Sequence, residues 1–157
     1  MKIKIRNAHQ SEGERIFEIW RDAVIATHHF LSTEDLLAIE MDVRAFLPTA
    51  PTLVAVYDTD EPLGFMLLNG HHLEALFVDP NYHGKGIGKK LIAHAREANA
   101  ILTTDVNEQN SQASAFYKRL GFSQIGRSER DGQGRPYPVI HLQMQGDESK
   151  GEPLMVS

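Results

Sequence analysis

The 157-residue sequence contains no cysteine. That excludes disulfides, thiolate metal sites, thiol redox couples and a cysteine nucleophile, so any covalent chemistry must use another side chain. No apolar run approaches the length that crosses a bilayer, and no membrane span is expected. Positive charge is in deficit: 16 Lys and Arg against 21 Asp and Glu leave a formal net charge of -5. Phosphate backbones are gripped by clustered cations, so nucleic acid is not the expected partner and a cationic substrate suits the field better. Residues 1–7 carry charge with no apolar stretch behind them and read as a first strand instead of a signal peptide, which places the protein in the cytoplasm.

What is present is an ordinary globular composition, 41% hydrophobic and 24% charged, enough to bury one core in one domain. Eight histidines invite a metal site, above all the pairs His28-His29 and His71-His72. Adjacent side chains point in different directions on a helix or strand, so neither pair chelates and no metal is expected.

Periodicity divides the chain into alternating elements. Residues 2–6 alternate as a strand, and Ser11 with Glu14 has capping-box spacing ahead of a helix whose apolar face is Ile16, Ile19, Trp20, Ala23 and Val24. A second helix is predicted from Thr33, with Leu36, Leu37, Ile39 and Val43 as its apolar positions. Residues 52–57, 63–68 and 73–78 read as three strands of an antiparallel meander. A Gly-rich loop then leads to a helix striped by Leu91, Ile92, Ala95 and Ala98; a strand follows at 101–106, a short helix at 110–120, and a last strand pair at 122–127 and 136–144. The expected organisation is one domain over 1–145 and a polar tail over 146–157, where Leu154, Met155 and Val156 have no assigned role.

The loop from Val78 to Lys90 carries alternate glycines, Gly84, Gly86 and Gly88, between a strand and a helix. Those are the conditions for an anion site: glycine lets the backbone approach closely, and unpaired amides at the helix start point at negative charge. A diphosphate fits there, with Lys85, Lys89 and Lys90 nearby. The Walker pattern fails, because only three residues separate Gly84 and Gly88 and no Ser or Thr follows the lysine. The dinucleotide fingerprint fails as well, on spacing and on the antiparallel strands before it.

Two segments together resemble the GNAT superfamily of N-acetyltransferases, and the order of elements is similar throughout. Leu76-Phe77-Val78-Asp79-Pro80 followed by His83-Gly84-Lys85-Gly86-Ile87-Gly88 resembles the family's Gln/Arg-x-x-Gly-x-Gly/Ala signature, with His83 in place of the Gln or Arg. Asn110 to Phe122 resembles its N-x-x-A-x-x-F-Y-x-x-x-G-F segment. The stretches from Ala26 to Ser32 and from Asn107 to Asn110 are similar to its bacterial YjaB-like branch.

The resemblance implies an α/β (α+β) fold with a mixed, largely antiparallel central sheet flanked by helices, and an enzyme that moves an acetyl group from acetyl-CoA to a primary amine by direct attack. The amine would belong to a protein lysine, an N-terminus or a small molecule. The alternative is a non-catalytic acyl-CoA-binding regulator. The cofactor would lie along Leu76, Phe77, Val78, His83, Gly84, Lys85, Gly86, Ile87, Gly88, Lys89, Asn110, Phe116 and Tyr117, in a slot where the strand ending at Val78 diverges from the next. Tyr117 matches the family's acid for the leaving thiolate, although periodicity alone makes it a packed core tyrosine. Asp105, twelve residues earlier, matches a glutamate base of some relatives, and alternation turns it away from Leu102, Thr104 and Val106. His28 and His72 are rival bases. Phe30 and Glu74 join them as candidates for the acceptor side, and Asn110 caps a helix or bonds the cofactor. A monomer or a homodimer paired through an edge strand is compatible with the sequence.

Overall fold

The computed structural model describes residues 2–145; the expected tail at 146–157, with Leu154, Met155 and Val156, lies outside the described residues. Seven strands, β1 (Lys4–Asn7), β2 (Leu53–Val56), β3 (Gly64–Asn69), β4 (His72–Val78), β5 (Leu102–Asn107), β6 (Ser123–Ser128) and β7 (Val139–Met144), form one sheet in the order β1-β2-β3-β4-β5-β7-β6. All pairings are antiparallel except β4 with β5, which is parallel. The last strand therefore slots between β5 and β6, leaving β1 and β6 as the sheet's edges.

Four helices cover the two faces: α1 (Gly13–Thr27), α2 (Thr33–Phe46), α3 (Ile87–Ala98) and α4 (Ser111–Arg119). The apolar stripe of α1 is buried as its spacing predicts, and it packs with Val54, Val56, Phe65 and Leu67 on one face of the sheet. On the other face Leu91, Ile92 and Ala95 of α3, with Tyr117 of α4, pack on Met66, Leu73, Leu102 and Leu142.

The structure corrects four local expectations. Ser11 does not cap α1; a short turn at Gln10–Glu12 precedes the helix, and Glu12 accepts the His9 backbone N–H at 2.7 Å. Glu14 instead faces Arg44 of α2 at 3.1 Å. Leu37 is 55% exposed because α2 leans on α1 only through Leu36, Ile39 and Val43. Ala98, in the last turn of α3, is exposed because the helix has passed the sheet by that point.

The strand that matters most for function is β4. Its register against β3 runs Leu67↔Ala75 and then Leu68↔Leu73, which makes Glu74 the extra residue of a bulge. A bulge bends its strand and increases the local twist. Beyond it β4 leaves β5: the two share only the rungs His72↔Thr103 and Leu73↔Thr104. The divergence expected from the sequence is thus a fork, and Glu74 stands exposed at its base.

Candidate active site

The site is built from the corner that follows β4. Asp79 is 4% exposed, and both its oxygens are engaged: one accepts the Asn81 N–H at 2.9 Å, the other the Arg15 guanidinium of α1 at 2.7 Å. The chain then turns through Gly84 (φ 77°) and Gly86 (φ 81°) into α3. That left-handed backbone costs an L side chain roughly 1–2 kcal/mol, so the two glycines are required by the path itself. Lys90 donates to Gly86 at 3.0 Å as the first bond of the helix. The amides from Gly84 to Lys89 have no protein acceptor among the described residues, and they sit at the positive end of the α3 dipole. Gly88 is small for a different reason: a Cβ there would stand 3.0 Å from the Phe116 ring of α4.

These amides border a cavity of about 570 Å³ framed by the end of α1, the free half of β4, the glycine corner and α4. That volume lies within the roughly 300–1,000 Å³ of small-molecule sites. Every residue expected to hold the cofactor lines it except Lys85, whose side chain is exposed and outside it. Gln112 and Arg119 of α4, not singled out from the sequence, join the lining, and Gln112 meets His83 across the mouth at 3.3 Å. Asn110 caps α4 by accepting the Ala113 N–H at 3.1 Å and also lines the cavity.

Tyr117 is both a core residue and a wall of the cavity. It is 6% exposed and packs edge-to-face between Phe116 and Phe122 at 5.1 and 5.2 Å. Burial pushes its phenol well above the ordinary tyrosine range, and Thr104 is its hydrogen-bond neighbour. A phenol in this position stays protonated and is available as a donor to an atom in the slot.

Asp105 stands one residue past the last β4–β5 rung, on the face of the sheet opposite Tyr117. It is neither a cap nor a free surface carboxylate. Its Oδ1 lies 2.6 Å from His141 Nδ1 and its Oδ2 lies 3.4 Å from His72 Nε2. His72 Nδ1 in turn meets Thr103 Oγ1 at 2.7 Å, and His141 Nε2 meets Ser128 Oγ at 2.7 Å. His141 and Ser128 escaped the sequence reading. The alternation of β7 does turn His141 away from buried Ile140 and Leu142, but only the strand order places it opposite Asp105.

His28, the other histidine considered as a base, lines the main cavity, its ring 5.1 Å from Phe30. Burial, with a contribution from neighbouring His29, pushes its imidazole down to about 4. It is therefore neutral near pH 7 and a poor proton acceptor. Phe30 lines an adjoining hollow and touches Tyr137 at 5.8 Å. Glu74 is exposed, does not line the cavity and has a long contact, 3.5 Å, with Asn69.

Comparison with known proteins agrees with this geometry. Residues 48–124 match the model of the acetyltransferase (GNAT) domain. The chain is 54% identical to the peptidyl-lysine N-acetyltransferase YjaB of Salmonella typhimurium, over 90% of this chain and 98% of that one. It is 51% identical to YjaB of Escherichia coli over 93% and 99% of the two chains. The solution structure of apo-form YjaB from Escherichia coli superposes with a TM-score of 0.89 at 50% identity, over 94% of this chain and all of that one. On these matches the chain belongs to the GNAT family of acetyltransferases.

Proposed function

We propose that this N-acetyltransferase takes its acetyl group from acetyl-CoA and delivers it to the side-chain amine of a protein lysine. The observation that carries the proposal is the row of unpaired amides from Gly84 to Lys89 at the mouth of a fork that ends at Tyr117. A pyrophosphate on those amides directs an extended thioester arm along the free side of β4, where Leu76, Phe77 and Val78 line the slot. The amine of the acceptor enters from the opposite face, where α1, α2 and the polar group around Asp105 form the walls. Relatives more than half identical to this chain are named for peptidyl-lysine, which supports lysine over an N-terminus or a small molecule.

The chemistry needs two proton transfers. A lysine amine at pH 7 is almost all ammonium, and freeing it costs roughly 4–5 kcal/mol unless the site helps. The freed amine attacks the thioester carbonyl, the C–N bond forms and the C–S bond breaks. The sulfur leaves as a thiolate and takes a proton, with Tyr117 as the donor that reaches it and the attacking nitrogen as the group that gives one up.

The test is release of thiol from acetyl-CoA with a lysine-containing peptide, followed in parallel by mass spectrometry of the peptide. Tyr117→Phe keeps the packing and removes the donor; kcat falls about 100-fold while acetyl-CoA binding changes little. Binding of CoA with no amine-dependent release by the wild type would instead identify an acyl-CoA-binding regulator.

A further inference from the structure

The polar group above the fork has a tautomeric logic of its own. An ionised Asp105 only accepts hydrogen bonds. His141 Nδ1, 2.6 Å from Oδ1, must therefore carry its proton, which leaves Nε2 as a lone pair receiving the Ser128 hydroxyl at 2.7 Å. Serine, imidazole and carboxylate form a chain that fixes Asp105 in orientation. The second imidazole is arranged differently. His72 holds Thr103 Oγ1 through Nδ1 at 2.7 Å, but its Nε2 stands 3.4 Å from Oδ2. A charge-assisted N–H···O bond is about 2.7–2.9 Å long, so this gap is not a closed ion pair. In the tautomer whose Nδ1–H is given to Thr103, the Nε2 lone pair and Oδ2 face the same half-exposed space as two acceptors, beside the point where the strands part.

We propose that this gap is the ammonium site of the acceptor: His72 Nε2 takes the ammonium proton, Asp105 Oδ2 holds the charge, and His141 with Ser128 are positioning residues that act through Asp105. The inference rests on the proposed use of an alkylamine acceptor. An acceptor ammonium donates to Oδ2 and Nε2 together. One proton moves from the amine to Nε2, giving a neutral amine and an imidazolium paired with the carboxylate, so the total charge is unchanged. An ordinary imidazole is a stronger base than an ordinary carboxylate, which makes His72 the proton acceptor and Asp105 its counter-charge. The imidazolium returns the proton to water through its exposed edge after transfer.

The test separates base catalysis from structural damage by changing the acceptor. A lysine peptide needs deprotonation; its aminooxy isostere, already neutral at assay pH, does not. His72→Gln loses about 100-fold in kcat/KM on the lysine peptide, and its loss on the aminooxy peptide is at least tenfold smaller. His141→Gln and Ser128→Ala follow the same pattern with losses of about tenfold on lysine, and KM for acetyl-CoA stays within about twofold in all three. Equal losses on both acceptors, or none on either, overturn the assignment. If the wild type acetylates no lysine peptide, the lysine reading fails by itself; the base is then tested by the same ratio on a small alkylamine and its alkoxyamine counterpart.

Discussion

His28 shows what a single side chain contributes beyond its identity. Its ring is wedged at the end of α1 between the Thr27 hydroxyl, 2.8 Å from Nδ1, and Phe30. The unfolded chain binds its proton near the ordinary value of 6.5, whereas the folded chain binds it only near 4. Between those values the unfolded state holds more protons, so stability falls as pH drops from 6.5 towards 4 and the deficit is complete below that window. The full loss is about 3 kcal/mol. Urea midpoints at pH 7 and pH 4.5 will show a shallower pH dependence for His28→Gln than for the wild type. Such behaviour is not legible in sequence, because His28, His72 and His141 are the same residue type until burial and partners separate them. Tyr117 was legible as a motif position, and its contacts with Phe116 and Phe122 show why the periodic pattern falls on the same residue.

At the scale of elements, the glycine corner is the piece whose geometry admits least substitution. Gly86 begins α3 at φ 81°, and its carbonyl receives the first helical bond. Gly86→Ala will lower stability by roughly 1–2 kcal/mol through the left-handed backbone alone. It will also weaken CoA binding at least tenfold, measured by calorimetry, because the free amides on either side of it move together. This corner was readable from the sequence: strand, alternate glycines and helix are local signals, and so are the strands and helices themselves. The bulge at Glu74 was not, since Leu73-Glu74-Ala75 reads as regular alternation and only the register against β3 reveals the extra residue. The insertion of β7 between β5 and β6 was equally hidden, because which strand hydrogen-bonds to the free edge of β5 is a non-local choice that no local signal records.

Across the whole molecule, one ion pair joins the acceptor wall to the cofactor corner. The Arg15 side chain of α1 is 18% exposed and spans from the Pro62 carbonyl at 2.9 Å to Asp79 at 2.7 Å, with Glu18 as a further partner. Asp79→Ala leaves the Arg15 guanidinium with Glu18 and the Pro62 carbonyl but removes its buried carboxylate partner, and it frees the turn at Pro80–Tyr82. Unfolding by urea will show a loss of about 2 kcal/mol. Because the same carboxylate anchors the approach to the amides, CoA affinity will fall along with stability, whereas Ser128→Ala will leave it unchanged.

The fork itself has a mechanical consequence. Four strands on one side and three on the other meet at a seam stitched by two rungs, so the sheet is least stiff along the line proposed for the thioester. A guest whose amide groups bond to both lips of that seam takes the place of the missing stitches. On that proposed placement the donor substrate is a temporary structural member of the protein, and amide exchange along β4 and β5 will slow when CoA is bound.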